Sequence, residues 1–372
     1  MEVRELDTDN RRDVRQWLAL PFRLYRGIPQ WVPPFAQDAR IVLDRRRYPF
    51  YRHSEAAFFL ACEGGRPIGR IAVLENRNFN QVHGRNTAFF YLFECEEDPA
   101  ASAALFEAAF AWARERGLTQ IIGPKGFTAL DGLGLLVKGF EHRAAMSIPY
   151  NPPYYEALVL AAGFEPLDDD LSGYMSANAY FPPRIHELAD RIKQRRGLHV
   201  PRFRKRQELR AIIPKLRDLY NDSLGLNFDQ VPLTDGEVKI IADQLLTVAD
   251  PGLIKVVMKG DQPVGFAFAY PDVSAALQRT GGRLFPFGWI DLLLELKRTK
   301  WVDFNGAGIL PEYQGLGGMA LILSEMHKSA TGGRFEHAEI VQISVSNSKM
   351  QLSLRDLGVD FYKVHRVYQR AL

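Results

Sequence analysis

Near the start of the chain, apolar side chains fall at Val14, Trp17, Leu18, Phe22 and Tyr25. These spacings of three and four place one apolar face on a helix over about Asp13 to Tyr25. The stretch "GIPQWVPPF" stops it, because proline removes an amide donor and restricts the residue before it. "AAFFLACEGG" and "RPIGRIAVLENR" then read as two strands around a turn at Glu63 to Pro67, and "NTAFFYLFECE" as a third. Pro99 stands where a first helical residue fits, "SAALFEAAFAWARERG" predicts a helix ending at Gly117, and "LTQIIGP" predicts the next strand. A glycine-rich segment, "GPKGFTALDGLGLLVKGFE", follows. "NPPYYEALVLAAGFEPLDD" then predicts a short helix stopped at Gly163, with a strand at "LSGYMSA".

The second half repeats this order. "ELRAIIPKLRDLYNDSLG" predicts an amphipathic helix, and "LIKVVMKGDQPVGFAFAYPD" a strand, turn and strand. "EGGRPIG" and "KGDQPVG" place Gly69 and Gly265 at matching positions 196 residues apart. "AAGF" and "DLGV" place Gly163 and Gly358 at an offset of 195, and Tyr174 and Tyr368 differ by 194. Three landmarks at nearly one offset predict two copies of one domain. The order helix, antiparallel strands, helix, strand, helix, strand predicts an α/β (α+β) fold with a mixed sheet and helices packed on it. It lacks the early strand and glycine-rich turn of a dinucleotide-binding domain. Between the copies, "RIKQRRGLHVPRFRKRQ" is rich in Arg and Lys and poor in apolar residues, so it reads as a solvated connector or as a nucleic-acid patch.

Composition narrows the class. The 372 residues are 47% hydrophobic and 24% charged, with 47 basic and 44 acidic side chains. That near balance gives no general case for nucleic-acid or membrane binding. Cys62 and Cys95 form no metal or disulfide pattern and read as reduced and buried. The start is charged and lacks the apolar core of a signal peptide, and no segment approaches the roughly 20 apolar residues of a membrane span. The expected location is cytoplasmic.

The chemistry concentrates at "GILPEYQGLGGMALILSEM". "KWVDFNGAGILP" ahead of it is extended in character, and Met319, Ile322, Leu323 and Met326 after it have helical spacing, so Gly315, Gly317 and Gly318 lie at a strand-to-helix junction. Amides of a first helical turn and the helix dipole favour an anion there, and glycine lets a phosphate approach. A tight turn against the sheet would use the same glycines. The eight histidines show no zinc spacing, so no metal is expected, and Ser344, Ser346 and Ser348 lack a nucleophile-elbow context. Trp31, Trp112, Trp289 and Trp301 read as core or domain-seam aromatics.

"LPEYQGLGGMA" resembles the acyl-CoA loop of the GNAT superfamily of N-acyltransferases, with Gln314 and Gly317 at its first two fixed positions and Met319 where a small residue is usual. "SNSKMQLSLRDLGVDFYK" is similar to that superfamily's later segment, with Asn347 at the helix start and Leu357–Gly358 at the corner. "FRLYRGIPQWVPP", "GPKGFTALDGLGLLVKGFE", "NPPYYEALVLAAGFE" and "YKVHRVYQ" resemble segments of a tandem-domain group of bacterial acetyltransferase-like proteins, over nearly the whole chain.

The resemblance implies two tandem acyl-CoA N-acyltransferase-like domains, each a mixed, mostly antiparallel sheet flanked by helices. They would span 1–185, a degenerate copy, and 208–372, with a basic connector over 186–207. It implies that acetyl-CoA or another acyl-CoA is held by Asn305, Gly308, Ile309, Leu310, Gln314, Gly315, Leu316, Gly317, Gly318, Met319 and Asn347. A small-molecule or peptide amine would attack the thioester directly, with Asp303 or Glu312 as base and Tyr362 as proton donor. The position of the usual donor is Leu354, which cannot donate a proton. In the first copy the loop position is expected at "GPKGFTALDGLG", where Gly123, Pro124 and Gly126 could form an anion nest beside Lys125, or the copy serves as a scaffold. Rival readings are a CoA-binding regulatory protein without transfer activity, and a transferase dependent on aminoacyl-tRNA that uses the basic run.

Overall fold

The computed structural model describes residues 1–128, 131–176, 179–223, 231–332 and 334–372. The chain divides into two compact units: Met1–Leu171 with Ser274–Asp291 and Lys363–Leu372, and Ser172–Val273 with Leu292–Tyr362. The first unit therefore takes residues from the end of the chain, which a division into consecutive segments does not anticipate.

The first stretch of chain runs β1 (Glu2–Glu5), α1 (Arg11–Leu24), α2 (Ala36–Ile41), β2 (Glu55–Glu63), β3 (Arg66–Glu75), α3 (Arg77–His83), β4 (Thr87–Cys95), α4 (Pro99–Glu115), β5 (Gln120–Gly123), β6 (Leu135–Lys138), α5 (Tyr155–Ala161) and β7 (Glu165–Ser176). The remainder runs α6 (Pro183–Arg196), β8 (Leu198–His199), α7 (Arg206–Ser223), α8 (Asp235–Val248), β9 (Ile254–Lys259), β10 (Gln262–Pro271), α9 (Ser274–Thr280), α10 (Gly288–Arg298), β11 (Trp301–Ile309), α11 (Gly318–Thr331), β12 (His337–Ser344), α12 (Ser348–Asp356) and β13 (Asp360–Ala371).

In the first unit β1 to β4 pair antiparallel in chain order, and β4 pairs parallel to β5 through the crossover helix α4. The β2–β3 hairpin turns on Gly64 and Gly65, both at positive φ, which is the two-residue turn that matches strand twist. The last strand of the chain adds beside β5, with Tyr368 opposite Gly123. The core lies between this sheet and α4, where Phe90, Phe106, Phe110 and Phe164 pack ring against ring. Helix α1 buries Val14, Trp17, Leu20 and Tyr25, whereas Phe22, expected on that face, is exposed and meets Trp31 edge-on. Tyr155 and Asn151 of the "NPPYY" segment are buried, and the Asn151 side chain bonds both main-chain groups of Leu136, so this segment is a packed turn.

The second unit repeats that arrangement. β9, β10 and β11 pair antiparallel, β11 pairs parallel to β12 through the crossover helix α11, and β8 extends the other edge beside β9. Residues of β7 lie beside β12, where Gln342 N donates to Ser172 Oγ at 3.1 Å. The stretch expected as a solvated connector supplies most of α6, then β8 and the approach to α7, and Ala189 and Ile192 of α6 sit in the core of this unit. Its Lys193 Nζ lies 2.7 Å from Glu325 of α11. Polarity averaged along the run hides that one face. Both cysteines are free and buried, as expected.

Candidate functional site

The parallel ladder between β11 and β12 runs from Trp301 opposite His337 to Phe304 opposite Ile340. β11 then continues to Ile309 and β12 to Ser344. On its other side β11 carries a bulge, since Ala269 faces Phe304 while Phe268 faces Gly306, leaving Asn305 as the extra residue. A bulge bends its strand and adds twist, so the two parallel strands part at the point where the bulge sits. The result is a fork whose one prong ends in the glycine cluster.

Beyond the fork, Pro311–Tyr313 forms a single 3₁₀ turn and α11 begins at Gly318. Gln314 Nε2 donates to the carbonyl of Ile309 at 3.2 Å and ties the loop back to the strand. Gly317 is the N-cap at φ +88°, and no side chain caps this end. A Cβ on Gly317 would also collide with Ile192 of α6, while the space around Gly315 is open. An uncapped first turn carries amide donors and the positive end of the helix dipole, so it suits a pyrophosphate. Gly308, Ile309 and Leu310 end the prong, and Leu316 and Met319 flank the turn. Asn347 is the N-cap of α12 and its Oδ1 accepts from Met350 N at 3.2 Å, so its side chain is engaged in capping.

One face of the same strands carries carboxylates. Asp303 is opposite Tyr270 on β10 and opposite Glu339 on β12, so all three project from one face of the sheet. Asp303 is 1% exposed and Glu339 4%. Tyr362 donates its hydroxyl proton to Glu339 Oε2 at 2.9 Å, and Asn305 Nδ2 donates to the Tyr270 hydroxyl. Burial first, and then the charge of Asp303, push the Tyr270 hydroxyl well above the usual tyrosine range and keep it neutral. The structure thus gathers Asp303 and Tyr362 around Glu339. Glu312 stands exposed in the turn at the far end of β11. Glu339 and Tyr270 escape a sequence reading: Glu339 lies in "HAEIVQIS" with nothing around it to mark it, and only strand register brings it to Asp303.

The opposite face, through Val302, Phe304, Ala338 and Ile340, floors an apolar groove walled by α11 and α12. Leu354 and Leu357 line it, so the residue standing in place of a proton donor is part of an apolar wall. Its cavity volume is about 60 Å³.

The first unit builds its counterpart differently. There the junction between the parallel strand β4 and its crossover helix is Glu96–Asp98, not the "GPKGFTALDGLG" segment, which follows β5. Asp98 caps α4, accepting from Ala100 N at 2.9 Å and Ala101 N at 3.1 Å. A built-in carboxylate occupies the position an anion would need, and Glu96 and Glu97 add like charge. Lys125, offered for a phosphate, is buried with its amide bonded to the Phe90 carbonyl. At the end of β4 the carboxylate of Glu94 is enclosed, accepting from Tyr25 at 2.7 Å and Tyr155 at 2.8 Å, with Arg70 at 3.7 Å. Burial raises its pKa.

Two such units in one chain, each with a parallel strand pair joined by a crossover helix, define the tandem GNAT fold. A tandem GNAT protein from the clavulanic acid biosynthesis pathway superposes over 100% of this chain and 98% of its own, with a TM-score of 0.56 at 12% identity. A GCN5-related N-acetyltransferase from Sphaerobacter thermophilus does so over 100% and 95%, with a TM-score of 0.50 at 12% identity. Among curated proteins, the bacterial ceramide synthase of Caulobacter vibrioides is 29% identical over 374 residues, 97% of this chain and 95% of that one. Protein YghO of Escherichia coli is 27% identical over 373 residues, 98% and 94% of the two chains. No family model matches the chain.

Proposed function

We propose that the chain is an N-acyltransferase that carries an acyl group from acyl-CoA, bound at the fork of the second unit, to an amine. The observation that carries this reading is the fork itself: parallel strands parting at a bulge, ending at an uncapped helix start, with buried carboxylates beside the parting point. Acyl-CoA supplies a thioester that an amine can attack without a covalent enzyme intermediate. Gly315 to Met319 would hold the pyrophosphate, with Asn305 to Leu310 alongside the arm that leads to the thioester. The Asp303–Glu339 pair, two buried carboxyls in register beside the parting point, is suited to taking a proton from an ammonium acceptor. Tyr362, bonded to Glu339, orients that carboxyl and can hand on a proton.

The acyl group we propose is a long chain and the acceptor an amino lipid. The name of the Caulobacter relative supports this, since a ceramide is an N-acylated long-chain base. The apolar groove under Phe304 and Ile340 supports it as well, because the surface it presents to an alkyl chain is almost wholly apolar.

Calorimetry with acetyl-CoA and a long-chain acyl-CoA, followed by thiol release against simple amines and a long-chain amino alcohol, tests both levels. No binding of either donor at millimolar concentration would sink the acyl-CoA reading. Turnover with acetyl-CoA and short amines alone would sink the lipid reading and leave the first intact. Binding without turnover would favour a CoA-dependent regulatory protein.

A further inference from the structure

We propose that α10 and the loop before it are a docking surface for a lipid bilayer. The segment is "RLFPFGWIDLLLELKR", inserted between β10 and β11. Its loop leaves Phe285 82% exposed and Phe287 73% exposed, and Trp289, Ile290, Leu293 and Leu294 are exposed in the helix that follows. Scattered exposed apolar residues are ordinary on a protein surface, but six within ten positions make a contiguous patch.

Helical geometry makes the patch one-sided. Trp289 with Leu293, and Ile290 with Leu294, are four apart and form a single outward stripe. Leu292 is buried and Leu296 half-buried on the inward side. A helix that is apolar on its inner and outer faces is ordinarily enclosed on both.

The charges around the patch decide what covers it. Arg283 precedes it, and Lys297 and Arg298 follow it, all exposed. The helix has two acids, of which Asp291 is paired with Arg279 at 2.7 Å. An aromatic and aliphatic surface with cations at both ends fits the boundary of an anionic membrane, where rings and leucines enter the acyl region and Lys and Arg meet headgroups. Eleven residues of helix reach about 16 Å, against roughly 30 Å of hydrocarbon, so α10 lies in the interface and does not cross it. No helix among the described residues is long and apolar enough to span a membrane, which leaves this surface mode open. The proposal rests on exposure and charge alone and stands apart from the acyl-transfer reading.

Co-sedimentation of the full chain with vesicles of phosphatidylcholine, or of phosphatidylcholine with phosphatidylglycerol, tests it. The wild type is expected to pellet with both and more strongly with the anionic vesicles. Phe285→Ser with Phe287→Ser should weaken binding about tenfold or more at an unchanged unfolding temperature. Lys297→Gln with Arg298→Gln should lower binding to anionic vesicles and leave the neutral ones unaffected. Lipids brominated along the acyl chain should quench wild-type tryptophan emission, and Trp289→Phe should remove most of that quenching. This readout needs no serine variant to fold. Wild type left in the supernatant with both vesicles overturns the proposal. So do serine variants that bind like the wild type, and a fall in oligomeric state with unchanged vesicle binding, which would make the patch a protein interface.

Discussion

Glu339 lies directly opposite Asp303 across the parallel pair β11–β12, and both carboxyls are buried on one face of the sheet. Tyr362 donates to Glu339 Oε2 at 2.9 Å, so the pair and this phenol form one polar cluster beside the point where the strands part.

Replacing either acid by its amide should therefore abolish most transfer while leaving the donor bound. Asp303→Asn and Glu339→Gln are each expected to lower kcat by about 10²- to 10⁴-fold with acyl-CoA affinity within a few-fold of wild type. Single-turnover kinetics beside calorimetry separates the two quantities. A kcat unchanged in both variants would remove the pair from the mechanism.

Gly317→Ala should damage binding and stability together. The position needs a positive φ, and a methyl group there would collide with Ile192. The expected loss is about 1–3 kcal/mol of stability, with weaker acyl-CoA binding. Gly315→Ala, where the added methyl meets open space, should cost about 1 kcal/mol from backbone strain alone. Thermal melts of both variants check the ordering.

Asp98→Ala in the first unit should cost about 1 kcal/mol through loss of the helix cap. It should leave acyl-CoA affinity and a stoichiometry of one per chain unchanged, because Glu96 and Glu97 keep this junction acidic. A second equivalent bound by wild type would contradict the one-site reading.

His365 gives a pH signature. It is 1% exposed, its Nε2 lies 3.0 Å from the Pro149 carbonyl, and its Nδ1 meets no hydrogen-bond partner among the described residues. Burial lowers its pKa to about 4. A folded-state pKa below the unfolded value means that stability is fully present above about 6.5 and is lost as pH falls through about 4. The total is on the order of 3 kcal/mol. His365→Gln, which can keep the bond to Pro149, should flatten that part of the pH–stability curve relative to wild type.

Filling the groove should change donor preference. Ala330→Leu places extra carbon on its α11 wall. The expected result is a rise of roughly tenfold or more in KM for a long-chain acyl-CoA with little change for acetyl-CoA. Equal effects on both donors would disconnect the groove from the acyl chain.

Several elements are written locally and were legible without the fold. The hairpin glycines at 64 and 65 dictate a turn wherever they occur, and the spacing of Met319, Ile322, Leu323 and Met326 makes a helix after any strand. Asn347 caps α12 as its position before the helix implies. Other readings failed because the deciding contact is distant in sequence. The run around Ile192 looks solvated until α11 supplies a partner for one face. Trp289 looks like a core residue because tryptophan usually is one, and nothing near it says that its stripe points outward. Glycine content points the first copy's anion loop to "GPKGFTALDGLG", whereas strand order puts that position at three acids.

The sequence by itself determined the repeated architecture and the strand-to-helix junction at Gly315–Gly318, since these follow from periodicity and backbone freedom within a few residues. Only the tertiary structure decided that Glu339 meets Asp303, that Leu354 walls a groove and that Asp98 closes the first unit's counterpart. The reason is register: strands joined by a long crossover helix carry no local signal of which residues will stand opposite one another. That choice is made by the packing of the whole sheet.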